Sequence, residues 1–110
     1  MQKFLEVSFL YDFYQTLLTQ KQRDLVAGYY FEDLSLSELA STYNISRQSV
    51  FDTIKKAELK LVDYESKLQL WDKFKKQDSI LAQLQAATAN SSNEEVVAIR
   101  DLIIKLRSEV

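Results

Sequence analysis

The chain has one glycine, Gly28, and no proline in 110 residues. Tight reversals between strands rely on residues that adopt positive φ or arrive with φ preset, which means mainly glycine and proline. An all-β chain of this length would need several such reversals. Helices lose stability when either residue enters their interior, so a helical chain has no use for them. With 46% hydrophobic residues there is ample material for a packed core. The expected fold class is all-α, a helical bundle with a long C-terminal helical arm.

The inventory also limits the chemistry. There is no cysteine and no histidine. Thiol nucleophiles, disulfides, zinc fingers and imidazole acid–base catalysis are therefore not expected. No phosphate-cradling glycine loop and no nucleophile–base pair stands out, so neither an enzyme nor a cofactor is expected. The adjacent carboxylates Glu32-Asp33 and Glu94-Glu95 are neighbours along the chain, not a converging pair. No run approaches the roughly 20 apolar residues of a membrane span, so no membrane insertion is expected. Glu6 and Asp12 interrupt the opening apolar stretch, unlike a signal peptide, and a cytoplasmic protein is expected. The net charge of −2 argues against strong nonspecific nucleic-acid binding, which rests on phosphate neutralisation.

Along the chain, residues 4–18 hold Phe4, Leu5, Val7, Phe9, Leu10, Tyr11, Phe13, Tyr14, Leu17 and Leu18, a stripe wider than a surface helix needs. Either this helix crosses the middle of the domain or part of it packs on a second copy. Thr19 is the expected N-cap of a second helix over 20–32, with Leu25, Val26, Tyr29 and Tyr30 inward. Ser35-Leu36-Ser37-Glu38 has the form of a capping box and opens a short helix whose buried edge is Leu36, Leu39, Ala40 and Tyr43. Asn44 tolerates a left-handed conformation and ends it. Ile45 sits in the turn, and Ser46 caps the next helix, where Val50, Ile54, Ala57 and Leu61 recur at helical spacing. Two serine-capped helices around an apolar-centred turn make a helix-turn-helix.

The apolar series continues through Tyr64, Leu68, Trp71, Phe74, Leu81 and Leu84, predicting one long helix or a bent pair over 62–87. Residues 88–93 have loop composition. Ser92 to Glu95 offers another helix start, and the closing helix is expected to bury Val96, Ile99, Ile103 and Leu106. These patterns divide the chain into a helix-turn-helix core over 1–62 and a C-terminal helical extension over 63–110, which packs on the core or on a partner subunit.

With Val50, Ile54, Ala57 and Leu61 inward, Gln48, Asp52, Lys55, Lys56 and Leu59 face outward. Arg47 stands at the helix start, where a groove-reading helix concentrates its contacts. The candidate DNA-binding residues are Arg47, Gln48, Ser49, Asp52, Lys55 and Lys56, with Arg47 suited to guanine and Gln48 to adenine. Ser35 and Ser46 are candidate phosphate contacts at helix N-termini. Arg47, Lys55, Lys56 and Lys60 stand against Glu38, Asp52 and Glu58, so residues 35–62 carry a net charge of only +1. A helix-turn-helix used as a packing unit or protein-docking surface would look much the same.

Residues 17–61, through Leu34-Ser35, Glu38-Leu39-Ala40, Asn44-Ile45-Ser46 and Val50, resemble region four of sigma-70-type sigma factors. The chain is more similar still, over nearly its full length, to the YlxM family of small bacterial proteins. That resemblance rests on Phe13 to Thr19, Lys21-Gln22-Arg23, Tyr29-Tyr30, Asp33 to Leu36, Tyr43 to Gln48 and Ile54-Lys55-Lys56, and it weakens after about Lys76. It implies a helix-turn-helix regulator encoded beside the signal-recognition-particle GTPase and linked to that pathway. DNA, signal-recognition-particle components and a second copy of the chain are the partners expected. Docking on the particle's components without DNA contact, through the helix around Trp71 and Phe74 or through the closing helix, is the other function open. Two departures from the patterns stand out. Gln20 replaces the usual proline after the threonine, and Phe51 and Asp52 replace the polar or basic residues of sigma region four.

Overall fold

The computed structural model describes residues 2–109. Among them the secondary structure is helical, with no strand. The helices are α1 (Gln2–Tyr14), α2 (Gln20–Tyr30), α3 (Leu36–Tyr43), α4 (Arg47–Leu68), α5 (Leu70–Thr88) and α6 (Glu94–Ser108), with a single 3-10 turn, Gln15–Leu17, after α1. The chain forms two compact units, Met1–Trp71 and Asp72–Val110.

In the first unit α4 is the spine. Val50, Ile54, Ala57 and Leu61 are all buried, as their spacing predicts. The first two join Leu25 and Leu39 in the core of the helix-turn-helix. The last two join Val7, Leu10, Tyr14, Leu18 and Val26 beneath α1. Tyr30 packs against both clusters and links them.

The broad apolar stripe of α1 divides into two. Val7, Leu10 and Tyr14 follow helical spacing into the core, while Phe4, Leu5 and Phe9 stay 40% to 53% exposed. The two outer phenylalanines pack on other rings instead. Phe4 meets Phe31 at 6.2 Å between centroids, and Phe9 stacks on Trp71 at 5.4 Å. Tyr29 and Tyr43, expected inside, are about two-fifths exposed. Each lies in the last turn of its helix.

The helix start after Thr19 is set by a reciprocal box. The Gln22 amide donates to Thr19 Oγ1 at 3.2 Å, and the Thr19 amide donates to Gln22 Oε1 at 3.0 Å. This arrangement does the work of the missing proline at Gln20 by holding both free amides. Gly28 is buried in the last turn of α2, where a Cβ would lie 2.7 Å from Leu39 Cδ2. The sole glycine is thus a close-approach site for α3, which accounts for its presence inside a helix.

The expected long helix is a bent pair. α4 runs on to Leu68, and Gln69 takes a left-handed conformation (φ 55°, ψ 32°) before α5 begins. Tyr14, fully buried on α1, holds this bend. Its hydroxyl donates to Glu65 Oε1 at 2.6 Å and accepts from the Leu70 amide at 3.0 Å. Glu65 Oε1 also accepts from the Trp71 amide at 3.1 Å. Two otherwise free amides at the start of α5 are satisfied in this way.

In the second unit α5 and α6 run antiparallel, tied by two arginines. Arg100 donates to the carbonyls of Thr88 (2.8 Å) and Ser91. Arg107 pairs with Asp78 at 2.9 Å and donates to Gln85 Oε1 at 2.7 Å. Asn93 caps α6 in place of Ser92, its Oδ1 accepting from the Glu95 and Val96 amides. The buried set expected on α6 shrinks to Ile103. Val96 is half-buried, and Ile99 and Leu106 are 51% and 56% exposed. One neighbouring helix can cover only one line of residues on α6, and that line runs through Val96, Arg100, Ile103 and Arg107.

Candidate nucleic-acid interface

The turn between α3 and α4 follows from three short polar side chains. Ser35 Oγ accepts from the Glu38 amide at 3.0 Å, while Glu38 Oε1 accepts from the Ser35 amide at 3.1 Å. Asn44 closes α3 in the left-handed region (φ 54°, ψ 47°), its amide donating to the Ala40 carbonyl. The Ile45 amide follows onto the same carbonyl at 3.1 Å, and its side chain packs against the Leu25–Leu39–Val50–Ile54 cluster. Ser46 Oγ then accepts from the Ser49 amide at 3.0 Å and opens α4. Each capping serine spends one lone pair on a backbone amide. Its O–H remains able to donate outward.

Burying Val50, Ile54 and Ala57 turns the opposite face of α4 to solvent, and Arg47, Gln48, Asp52, Lys55 and Lys56 are all exposed there. Arg47 makes no hydrogen bond or ion pair among the described residues, and with Leu36, Gln48 and Phe51 it lines a surface groove of about 400 Å³. Gln48 Nε2 donates to Asp52 Oδ1 at 3.0 Å, one turn along the helix. Lys55 lies over the Phe51 ring, 5.8 Å from its centroid, and 3.7 Å from Glu58 Oε2. Lys56 has no ion-pair partner among the described residues. Ser49 is half-buried between exposed Gln48 and buried Val50.

A group not singled out from the sequence anchors this face from behind. Glu58 is only 9% exposed and accepts from the Tyr30 hydroxyl. Lys3 approaches the same carboxylate at 3.2 Å, beside Lys55. Burial, and then the bond to Glu58, push the Tyr30 phenol well above its ordinary range, so it stays a neutral donor. The signal was present in the spacing: Glu58 falls four residues after Ile54, on the buried line, where a carboxylate must find partners. Among the described residues no group of acidic side chains is placed to hold a metal ion, and no helix is long and apolar enough to cross a membrane.

Comparison with known proteins agrees with this geometry. A family model described as "Putative helix-turn-helix protein, YlxM / p13 like" matches residues 1–101. A UPF0122 protein of Shouchella clausii is 44% identical over 106 residues, covering 96% of this chain and 95% of its own. One from Halalkalibacterium halodurans is 45% identical over 100 residues, covering 90% and 92%. One from Bacillus thuringiensis is 42% identical over 108 residues, covering 96% and 98%. With the capped turn, the buried line of α4 and these matches over nearly the whole length in hand, the chain belongs to the YlxM/p13-like helix-turn-helix family, UPF0122.

Proposed function

We propose that this chain is a DNA-binding regulatory protein that lays the first two turns of α4 in the major groove. Arg47, Gln48 and Asp52 face base edges, while Lys55, Lys56 and the O–H groups of Ser35 and Ser46 hold phosphates. The observation that carries the reading is Arg47: an exposed guanidinium with no hydrogen-bond or ion-pair partner among the described residues, at the N-terminus of α4 and opposite a face committed to the core. Arginine is the residue best shaped for bidentate contact with guanine. The Gln48–Asp52 bond orients the same surface: it uses one of the two N–H donors of the glutamine amide, leaving the other for a base edge, and leaves carboxylate oxygen for a cytosine amine. Half-buried Ser49 adds at most a peripheral contact. The process we assign to the protein is the signal recognition particle pathway, on the YlxM resemblance, and the reading entails a cytoplasmic protein.

Selection from a random-sequence duplex library at low salt tests this. The expected result is an enriched motif that Arg47→Ala no longer selects, because losing one bidentate contact removes about 1–3 kcal/mol of discrimination. No enrichment and no retention at low salt would sink the proposal.

One observation favours a second reading, docking on a signal-recognition-particle protein or RNA component. Phe4, Tyr29 and Phe31 are 40% to 42% exposed on the first unit, an aromatic surface of the kind enriched at interfaces. Trp71 and Phe74, the centre of one docking helix expected from the sequence beside the closing helix, are both half-buried, with Trp71 stacked on Phe9, so we place the face at this cluster instead. Capture of those components by Arg47→Ala protein, but not by Phe31→Ala protein, would favour this reading over the first.

A further inference from the structure

Phe51 stands apart from the other phenylalanines of the first unit. Phe4, Phe9, Phe13 and Phe31 each pack on another aromatic ring. Among the described residues no ring meets Phe51, which is 42% exposed on α4. A single exposed apolar residue needs no explanation by itself. The company this one keeps is what gives it meaning. At 100° per residue Arg47, Phe51 and Lys55 follow one another at one-turn intervals, each about 40° further round α4 than the last. The ring is therefore set between two cations, and Gln48 lies about 60° round the helix from it. Lys55 Nζ is 5.8 Å from the ring centroid, within range of the attraction between a cation and a ring face. Arg47, Gln48 and Phe51 line one groove with Leu36 at the start of α3. The side chains assigned above to base reading thus hold among them a phenyl ring, which has no donor and no acceptor to offer.

In the major groove every base pair presents hydrogen-bonding groups, but thymine alone presents a methyl group, at C5. A phenyl ring pressed onto hydrogen-bonding edges strips their water and returns no bond, which is unfavourable. Against a methyl group the same ring buries apolar surface on both sides. We propose that Phe51 selects thymine through contact with this methyl group. The proposal rests on the DNA-binding reading above and adds to it the base that α4 takes beside the guanine assigned to Arg47. Arg47 and Phe51 are four residues apart, about 6 Å along the helix axis. That is the rise of about two base pairs, at roughly 3.4 Å each. The thymine, on either strand, therefore falls within about two base pairs of the guanine.

The duplex enriched from the random-sequence library is the probe. Each thymine within two base pairs of the guanine that Arg47→Ala no longer selects is replaced in turn by uracil, which lacks only the C5 methyl. Binding of the wild-type chain, measured by fluorescence anisotropy at low salt, should weaken about four-fold at one of these positions, the value of one buried methyl group. Placed at that position, 5-methylcytosine should bind about four-fold more tightly than cytosine, because the two carry the same hydrogen-bonding groups. Phe51→Ala, and separately Phe51→Gln, should bind both members of each pair equally; the position is exposed, so neither change touches the core. Uracil binding as tightly as thymine at every such position overturns the assignment, as does cytosine methylation without effect. A thymine preference that survives both Phe51 variants, or a motif with no thymine within that distance, overturns it too. In each of these cases a motif that depends on Arg47 leaves the DNA-binding reading standing. Failure to enrich any motif overturns both.

Discussion

Tyr14 does two jobs with one atom. Its ring fills the core beneath α1, and its hydroxyl joins Glu65 to the first amides of α5. Tyr14→Phe keeps the ring and removes the oxygen, leaving the Leu70 amide and one Glu65 lone pair without their partner. A buried donor left unmatched costs about 1–3 kcal/mol, so urea unfolding of this variant should shift by that amount with an unchanged slope. The aromatic character of Tyr14 and its place on the buried stripe could be read from the sequence. Its hydroxyl partners could not, because Glu65 lies 51 residues away and the encounter depends on how α1 crosses α4. The same division holds for Asn44 and Glu58. Asn44 needs only local chemistry to enter the left-handed region, whereas Glu58 needed its neighbours to be known before its burial made sense.

At the scale of the element, short capping side chains set the boundaries of α2, α3, α4 and α6. Thr19, Ser35, Asn44 and Ser46 were each placed from residue type and spacing alone, and each makes the expected terminus. The α5–α6 hairpin is different, since charged side chains hold it together. The Arg107 guanidinium holds the Asp78 carboxyl below its ordinary range. A carboxylate depressed in the folded state contributes above its unfolded pKa, about 3.9, and loses that contribution as pH falls through the folded value. The hairpin should therefore be indifferent to pH from neutrality to about 4 and loosen below it. Thermal unfolding of the wild type and of Asp78→Asn, followed across the acid range, checks this. The difference between them should shrink as acid protonates Asp78 in the wild type, and a constant difference would refute it.

Across the whole molecule, the charge balance limits how DNA can be held. The chain is acidic overall, at −2, and the proposed face has two lysines for phosphate, Lys55 and Lys56, the first already near Glu58. Each neutralised phosphate steepens the dependence of log affinity on log salt by about 0.9, so roughly −2 per bound protomer is expected. A dimer engaging both copies should show about −4, and Lys56→Ala should lower the magnitude by about 1 per protomer. Fluorescence anisotropy titrations over a salt series measure it. A slope unmoved by Lys56→Ala would remove that residue from the phosphate contacts.

Helix identity, helix ends and the buried line of α4 were legible because each depends on neighbours within a few positions. Capping bonds span two or three residues, and helical spacing repeats every turn. Gly28 was equally visible as the sole glycine, but its reason was not, since it is a Leu39 methyl arriving from another helix. Exposure of Tyr29, Tyr43, Ile99 and Leu106 was likewise hidden: an apolar residue on a helix announces that it can be buried, not that a partner reaches it. With neither proline nor a second glycine, the chain was committed to helices from the start. Which faces those helices share, and which they leave open, is set by how many neighbours surround each one, a property of the packed helices that no local pattern carries.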